Sequence, residues 1–206
     1  MIVVASSPAQ FKAPGAPSGP LSRFLADENP QFFPTEVFGS NRAFDARCFS
    51  WNLRSMGELP LRAAINIDVS QTFRLLVLPS YRSPVMVRLI ISARAPGELI
   101  KRIGKNSQRP DILLVDKTMR LEQADISAFE QLLTKVDFWS MPTQKSGGVA
   151  ELGGILFMFE GEQGQRYHLV TMTTPLARPY DELVHFFLQD LAQIDWNSLP
   201  RQPNFP

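Results

Sequence analysis

Very few residues in this chain have the side chains that start a reaction. There are two histidines, His168 and His185, and one cysteine, Cys48. A hydrolytic triad needs Ser or Cys beside a His that a carboxylate orients. No G-x-S-x-G elbow is present to expose a serine. Cys48 lies in the apolar run "RCFSW", a setting that fits a half-buried structural thiol better than a nucleophile. Glu160 and Glu162 are two positions apart. Paired carboxylates cleave glycosides, but these sit beside a turn-rich stretch and are expected to face water. "RIGKNS" resembles the end of a phosphate-binding loop. Asn106 stands where Ser or Thr is required, however, and Leu99 where the first glycine should be. Metal sites need several converging His, Cys or carboxylate ligands. Two distant histidines and the adjacent pair Asp181 and Glu182 do not supply them. The reading is therefore no catalytic residue, no metal and no cofactor.

Charge is the next source of function. The formal net charge is +1, which gives no overall attraction to nucleic acid or membrane. Between Arg82 and Arg109, basic residues exceed acidic ones by about six, and from Asp111 onward acidic residues exceed basic ones by a similar margin. Arg88, Arg94, Lys101 and Arg102 are expected to form a positive sheet surface for a partner protein with an acidic face. The stretch carries no aromatic between Arg82 and Asp111, so nucleic acid is not the expected partner. His168 joins these four as a candidate binding residue.

The elements that must position these groups are legible from periodicity. Residues 1–20 are rich in Pro, Gly, Ala and Ser and read as an arm; 21–198 read as one domain, and 199–206 as a Pro-rich tail. "LSRFLADENP" is expected to make one or two helical turns. In "RCFSWNLRSM", Phe49, Trp51 and Leu53 alternate with polar residues, which predicts a strand. A short strand is also expected at 64–69. "TFRLLVLPSY", "PVMVRLIISAR", "ELIKRI" and "DILLVDKTMRL" predict an antiparallel meander, with a turn at "APG". "ISAFEQLLTKV" has helical spacing, with Ser127 and Glu130 as an expected capping box. "ILFMFEG" and "RYHLVTM" predict a hairpin joined by "EGEQGQ". A helix follows after Pro179, with Tyr180, Leu183, Val184, Phe187, Leu188 and Leu191 as its apolar stripe. His185 falls off that stripe. The loop over 143–154 is open to a functional role. The whole predicts an α+β fold: a meander plus C-terminal hairpin, with two main helices on one face.

The C-terminal half also carries a pattern. "DISAFEQLLTKVDFWSMP", a Gly-rich loop, "FMFEGEQGQRYHLVTMTTP" and "YDELVHFFLQDLAQI" together resemble small uncharacterised bacterial α+β proteins. Those have a helix ending in Phe-Trp-x-x-Pro, then a hairpin with a Glu-Gly turn and a Tyr-His-x-Val strand, then a helix. Some look like immunity or secretion-accessory factors. Where those proteins show Asp-Gly and a tryptophan before the hairpin, this chain has Gly153, Gly154 and Phe157. The resemblance implies no catalytic residue.

The expectation is thus a non-catalytic protein-binding module of a bacterium, of the immunity or secretion-accessory kind. Two alternatives stand beside it. One is a structural subunit assembled through the N-terminal arm as a homo- or hetero-oligomer. The other is a hydrolase-type enzyme with its site near His168. No run is long and apolar enough to span a bilayer. The apolar stretch Ile2–Ala5 is shorter than a secretory core of about 7 residues, which favours the cytosol, with the periplasm as the alternative if a leader was trimmed.

Overall fold

Alternating apolar residues in the middle of the chain form the spine of the molecule. The computed structural model describes residues 32–34, 37–38, 43–63, 69–143, 154–176 and 178–199. The expected arm (1–20), the turns at 21–30, most of the short strand at 64–69, most of the 143–154 loop and the tail beyond Leu199 lie outside these residues.

Six strands make one open antiparallel sheet. They are β1 (Val69–Pro79), β2 (Val85–Ser92), β3 (Gly97–Gly104), β4 (Leu113–Leu121), β5 (Ile155–Gln163) and β6 (Arg166–Thr173). Their order is β4-β3-β2-β1-β5-β6, so the meander and the hairpin meet where β1 pairs with β5. The α+β class expected from sequence is what the chain adopts. The helix α2 (Gln123–Lys135) and the C-terminal helix α3 (Tyr180–His185) carry buried residues into one core cluster, on one sheet face.

That face is aromatic. Phe73 of β1 makes edge contacts with Phe129 of α2 and Phe138 beyond it, with ring centroids 4.7 and 6.0 Å apart. Phe159 and Phe187 join the cluster at 4.9 Å. The predicted stripe on α3 is buried throughout, from Tyr180 to Leu191. Its second half, Phe186–Leu191, is wound as a π-helix. The Ala192 N–H correspondingly donates to Phe187 O, five residues back.

The opposite face is covered too, which the sequence reading missed. The "RCFSW" run is a helix, α1 (Ala43–Ser55), and not a strand. Alternation over five residues was misleading because Phe49 and Leu53 are also i and i+4. Ala46, Phe49, Leu53 and Met56 form the stripe that the helix lays on the sheet. Phe32, Phe33 and Phe38 extend that second core.

Two further boundaries differ from expectation. α2 starts at Gln123, four residues before Ser127. The Asp125 carboxylate, not Glu130, accepts the Glu122 N–H at 3.1 Å. In the hairpin, β5 runs on through Gln163 and leaves a turn of Gly164 and Gln165. Gly164 has φ +58°, the positive value that the first central residue of a II′ turn requires.

Gly161 is therefore a strand residue, paired with His168. A Cβ there would lie 2.6 Å from the ring of Phe73 and 2.9 Å from that of Phe138. Its role is close approach of aromatic rings to backbone. Gly161→Ala is expected to lower unfolding free energy by about 1–3 kcal/mol in chemical denaturation, through forced displacement of the two rings.

Candidate functional site

The pleat sends alternate residues of each strand to opposite faces. On the α1 side this brings together Arg74 of β1, Arg88 of β2, Arg102 of β3, Asp116 of β4, and Glu160 of β5 with its neighbour Tyr167 of β6. Arg74 lies directly opposite Arg88 in the β1–β2 register and opposite Glu160 in the β1–β5 register. Arg102 faces Asp116 across β3 and β4.

The carboxylate that neutralises the two facing arginines comes from outside the sheet. At the end of α1, Gly57 takes φ +75°. Its N–H donates to Arg54 O at 2.8 Å, and the next N–H, from Glu58, donates to Leu53 O at 2.9 Å. This is the paired closure of a Schellman motif, and glycine supplies the left-handed residue without a Cβ penalty. The reversal points Glu58 down onto the strands.

Glu58 Oε2 accepts from Arg74 Nη1 and from Arg88 Nη1, both at 2.9 Å. Glu58 Oε1 accepts from Arg102 Nη1 at 2.7 Å. Arg74 Nε donates to Glu160 Oε1 at 2.7 Å, and its Nη2 forms a close ion pair with the same oxygen. Tyr167 Oη donates to Glu160 Oε2 at 2.7 Å. Two carbonyls from the end of α1 complete the cluster: Leu59 O accepts from Arg74 and Met56 O from Arg102. Arg102 Nε reaches Asp116 Oδ1 at 3.0 Å. The Arg74 guanidinium also stands over the Phe32 ring, 5.3 Å from its centroid.

This cluster is closed. Arg74 is 0% exposed, Glu58 2% and Glu160 1%. Burial alone would depress the Arg74 pKa, but the charges of Glu160 and Glu58 outweigh it and raise the value. Burial lowers the pKa of Arg88. Burial and then the charge of Glu160 push the Tyr167 phenol well above its usual value. The surroundings thus hold Arg74 as the charged guanidinium and Tyr167 as the neutral phenol. Glu160 is buried, where the sequence suggested a solvated position, and both of its oxygens are engaged. A paired-carboxylate reaction would need an oxygen of each carboxylate open to a substrate, and Glu160 is 1% exposed.

The candidate binding residues separate. Arg88 and Arg102 belong to the cluster. Lys101 alternates to the other face, where its Nζ donates to Ala192 O at 2.7 Å, at the end of the C-terminal helical segment. Arg94 sits in the exposed connection between β2 and β3. The expected positive sheet surface is not formed, because neighbouring positions on a strand cannot share a face. His168 is half-buried on the aromatic side, its ring 5.1 Å from that of Phe138. Burial lowers its pKa, opposed by a hydrogen bond to the Met141 backbone and reinforced by Arg166.

Cys48 is no better suited to attack. Burial, then the charge of Asp45, push its thiol up to about 11, so the thiolate is scarce near neutrality. No group of three or more metal-ligating side chains occurs among the described residues. Nor, among them, is any helix long and apolar enough to cross a membrane. The exposed side of α2 carries an open polar groove of about 560 Å³, lined by Ser127, Glu130, Gln131, Thr134 and Lys135.

The open feature is the β4 edge. Of its nine residues only Leu121 is buried, and Leu114 is 47% exposed beside exposed Ile112. Backbone direction follows from two contacts. The Gly104 N–H donates to Pro84 O, so even-numbered residues of β3 turn their amides to β2 and odd-numbered ones turn to β4. With Leu99 opposite Met119 and Lys101 opposite Lys117, the amides of Asp116, Thr118 and Arg120 point off the sheet. The same alternation carried across the sheet turns the Thr171 amide of β6 outward, and that amide donates to Thr143 O at 2.7 Å. The β6 edge is thus partly covered, whereas no described residue pairs with the outer edge of β4. An uncovered edge is a template for another strand.

No protein-family model matches this chain, and no curated protein is significantly similar to it.

Two outcomes are expected from the clustered and titrating groups. Glu58→Gln removes the carboxylate that bridges the two facing arginines and should cost about 3–5 kcal/mol. Hydrogen exchange should show α1 amides losing protection before those of β1. For His168, the folded pKa lies below the unfolded value near 6.5. The unfolded chain therefore binds more protons as pH falls, so this residue's contribution is present above about pH 6.5 and lost below it. His168→Gln should flatten the fall in melting temperature between about pH 7.5 and 5 relative to the parent.

Proposed function

We propose that this protein is a non-catalytic module that binds another protein by accepting a strand along the β4 edge. The observation that carries this reading is the nine-residue β4, whose outer edge no described strand pairs with, and which has exposed Leu114 within it and exposed Ile112 beside it. Strand addition draws affinity from main-chain hydrogen bonds and selectivity from alternate side chains. The enclosed state of Glu58, Arg74 and Glu160 supports the non-catalytic part of the reading, since their charges are spent on one another. The C-terminal pattern supports a bacterial setting of the immunity or secretion-accessory kind.

Thr118→Pro tests this directly. Its amide points off the sheet, so proline removes an edge donor without breaking a ladder bond. A partner identified by affinity purification from host cells, then reconstituted from pure components, should lose binding to this variant at unchanged melting temperature. A turnover in a broad hydrolase panel that His168→Gln or Glu160→Gln abolishes would overturn the reading.

A further inference from the structure

We infer that the strand accepted at the β4 edge is β4 of a second copy of this chain, paired antiparallel about a twofold axis through Thr118. The inference rests on the strand-addition reading above and names its partner.

The register follows from charge. In a symmetric antiparallel pair, residues of the two copies meet at positions that sum to a constant. Outward-pointing amides must meet outward-pointing amides, so the axis passes through a residue and not between two. Centring on Asp116 sets two carboxylates against each other. Centring on Lys117 sets two ammonium groups together, and centring on Met119 sets Asp116 against Glu122. Like charges directly opposite destabilise a pair. Centring on Val115 shortens the overlap.

Centring on Thr118 has none of these faults. Thr118 meets Thr118, Val115 meets Leu121, and Lys117 meets Met119. Asp116 meets Arg120 of the second copy, twice by symmetry. Asp116 and Arg120 are both exposed. Asp116 Oδ1 accepts from Arg102 Nε, which leaves Oδ2 to accept from Arg120 of the second copy. Asp116, Thr118 and Arg120 are also the residues whose amides point off the sheet, so this register exchanges about six backbone hydrogen bonds. Half-buried Val115 and Met119 flank the join on the aromatic face and gain cover from the second copy. The two six-stranded sheets become one continuous sheet.

Sedimentation equilibrium of the full chain tests it. The parent is expected to dimerise with a dissociation constant in the micromolar range, as suits a small interface. Thr118→Pro should weaken the dimer at least about tenfold without changing the melting temperature measured at protein concentrations well below the dissociation constant, where both chains are monomeric. Arg120→Asp should weaken it similarly, because only this register sets position 120 against Asp116 of the second copy. A parent that stays monomeric at about 100 μM would overturn the inference. So would a dimer that survives Thr118→Pro or Arg120→Asp. A monomeric parent that nevertheless loses its reconstituted host partner on Thr118→Pro would sink self-pairing alone and leave the strand-addition reading standing.

Discussion

Two arginines face each other across neighbouring buried strands, and the arrangement of one whole side of the molecule answers to that. Arg74 and Arg88 are direct partners in the β1–β2 register. Side by side in a sheet, like charges repel, and burial strips the water that would screen them. Glu160, on the other neighbour of β1, engages Arg74 and turns its second oxygen to Tyr167. Only an acid placed above the sheet can reach both guanidinium groups at once. Glu58 does so with a single oxygen, while its other oxygen takes Arg102. The position of α1, the reversal at Gly57 and the carbonyls of Met56 and Leu59 are consequences of putting that carboxylate there.

The two faces of the sheet are held by different physics. Under α2 and α3, rings of Phe73, Phe129, Phe138, Phe159 and Phe187 interlock, and the attraction is spread over many contacts. Under α1 the apolar contacts of Phe49, Leu53 and Met56 are joined by bonds with fixed direction. Charge-assisted hydrogen bonds tolerate little displacement. A slip of α1 by one turn would leave Arg74, Arg88 and Arg102 facing backbone in place of Glu58. Such clusters contribute less to net stability than their number suggests, since desolvation offsets attraction. Their effect is felt when one member is removed.

Much of the sheet was legible in the sequence. The run at β2 alternates, those at β1 and β5 are short apolar stretches of strand length, and Pro79 and Gly164 mark ends that the structure keeps. The apolar stripe from Tyr180 to Leu191 was equally plain, although its π-helical winding leaves no trace in spacing. α1 was misread because its window was short and Phe49 and Leu53 satisfy both periods, while Trp51 between them satisfies only the strand's. The charge cluster was hidden for a different reason. Arg74 looked like one polar residue in an apolar strand, and Glu58 and Glu160 stand 16 and 86 positions from it. A lone charge inside an otherwise apolar strand of a buried sheet was the available signal: it demands a partner, though it does not say where.

β1 lies in the middle of the sheet, but half of its surroundings are made last. During synthesis the meander from β1 to β4 can pair as soon as it emerges, and Glu58 is already at hand for Arg74. Glu160 arrives 86 residues after Arg74. Until β5 docks, the far edge of β1 has no ladder partner and Arg74 has half of its neutralising charge. In the strand order the meander from β1 to β4 alone would have two open edges, on β1 and on β4, and β5 closes only the first. Among the described residues, no strand returns to cover the β4 edge, and that edge is what they present.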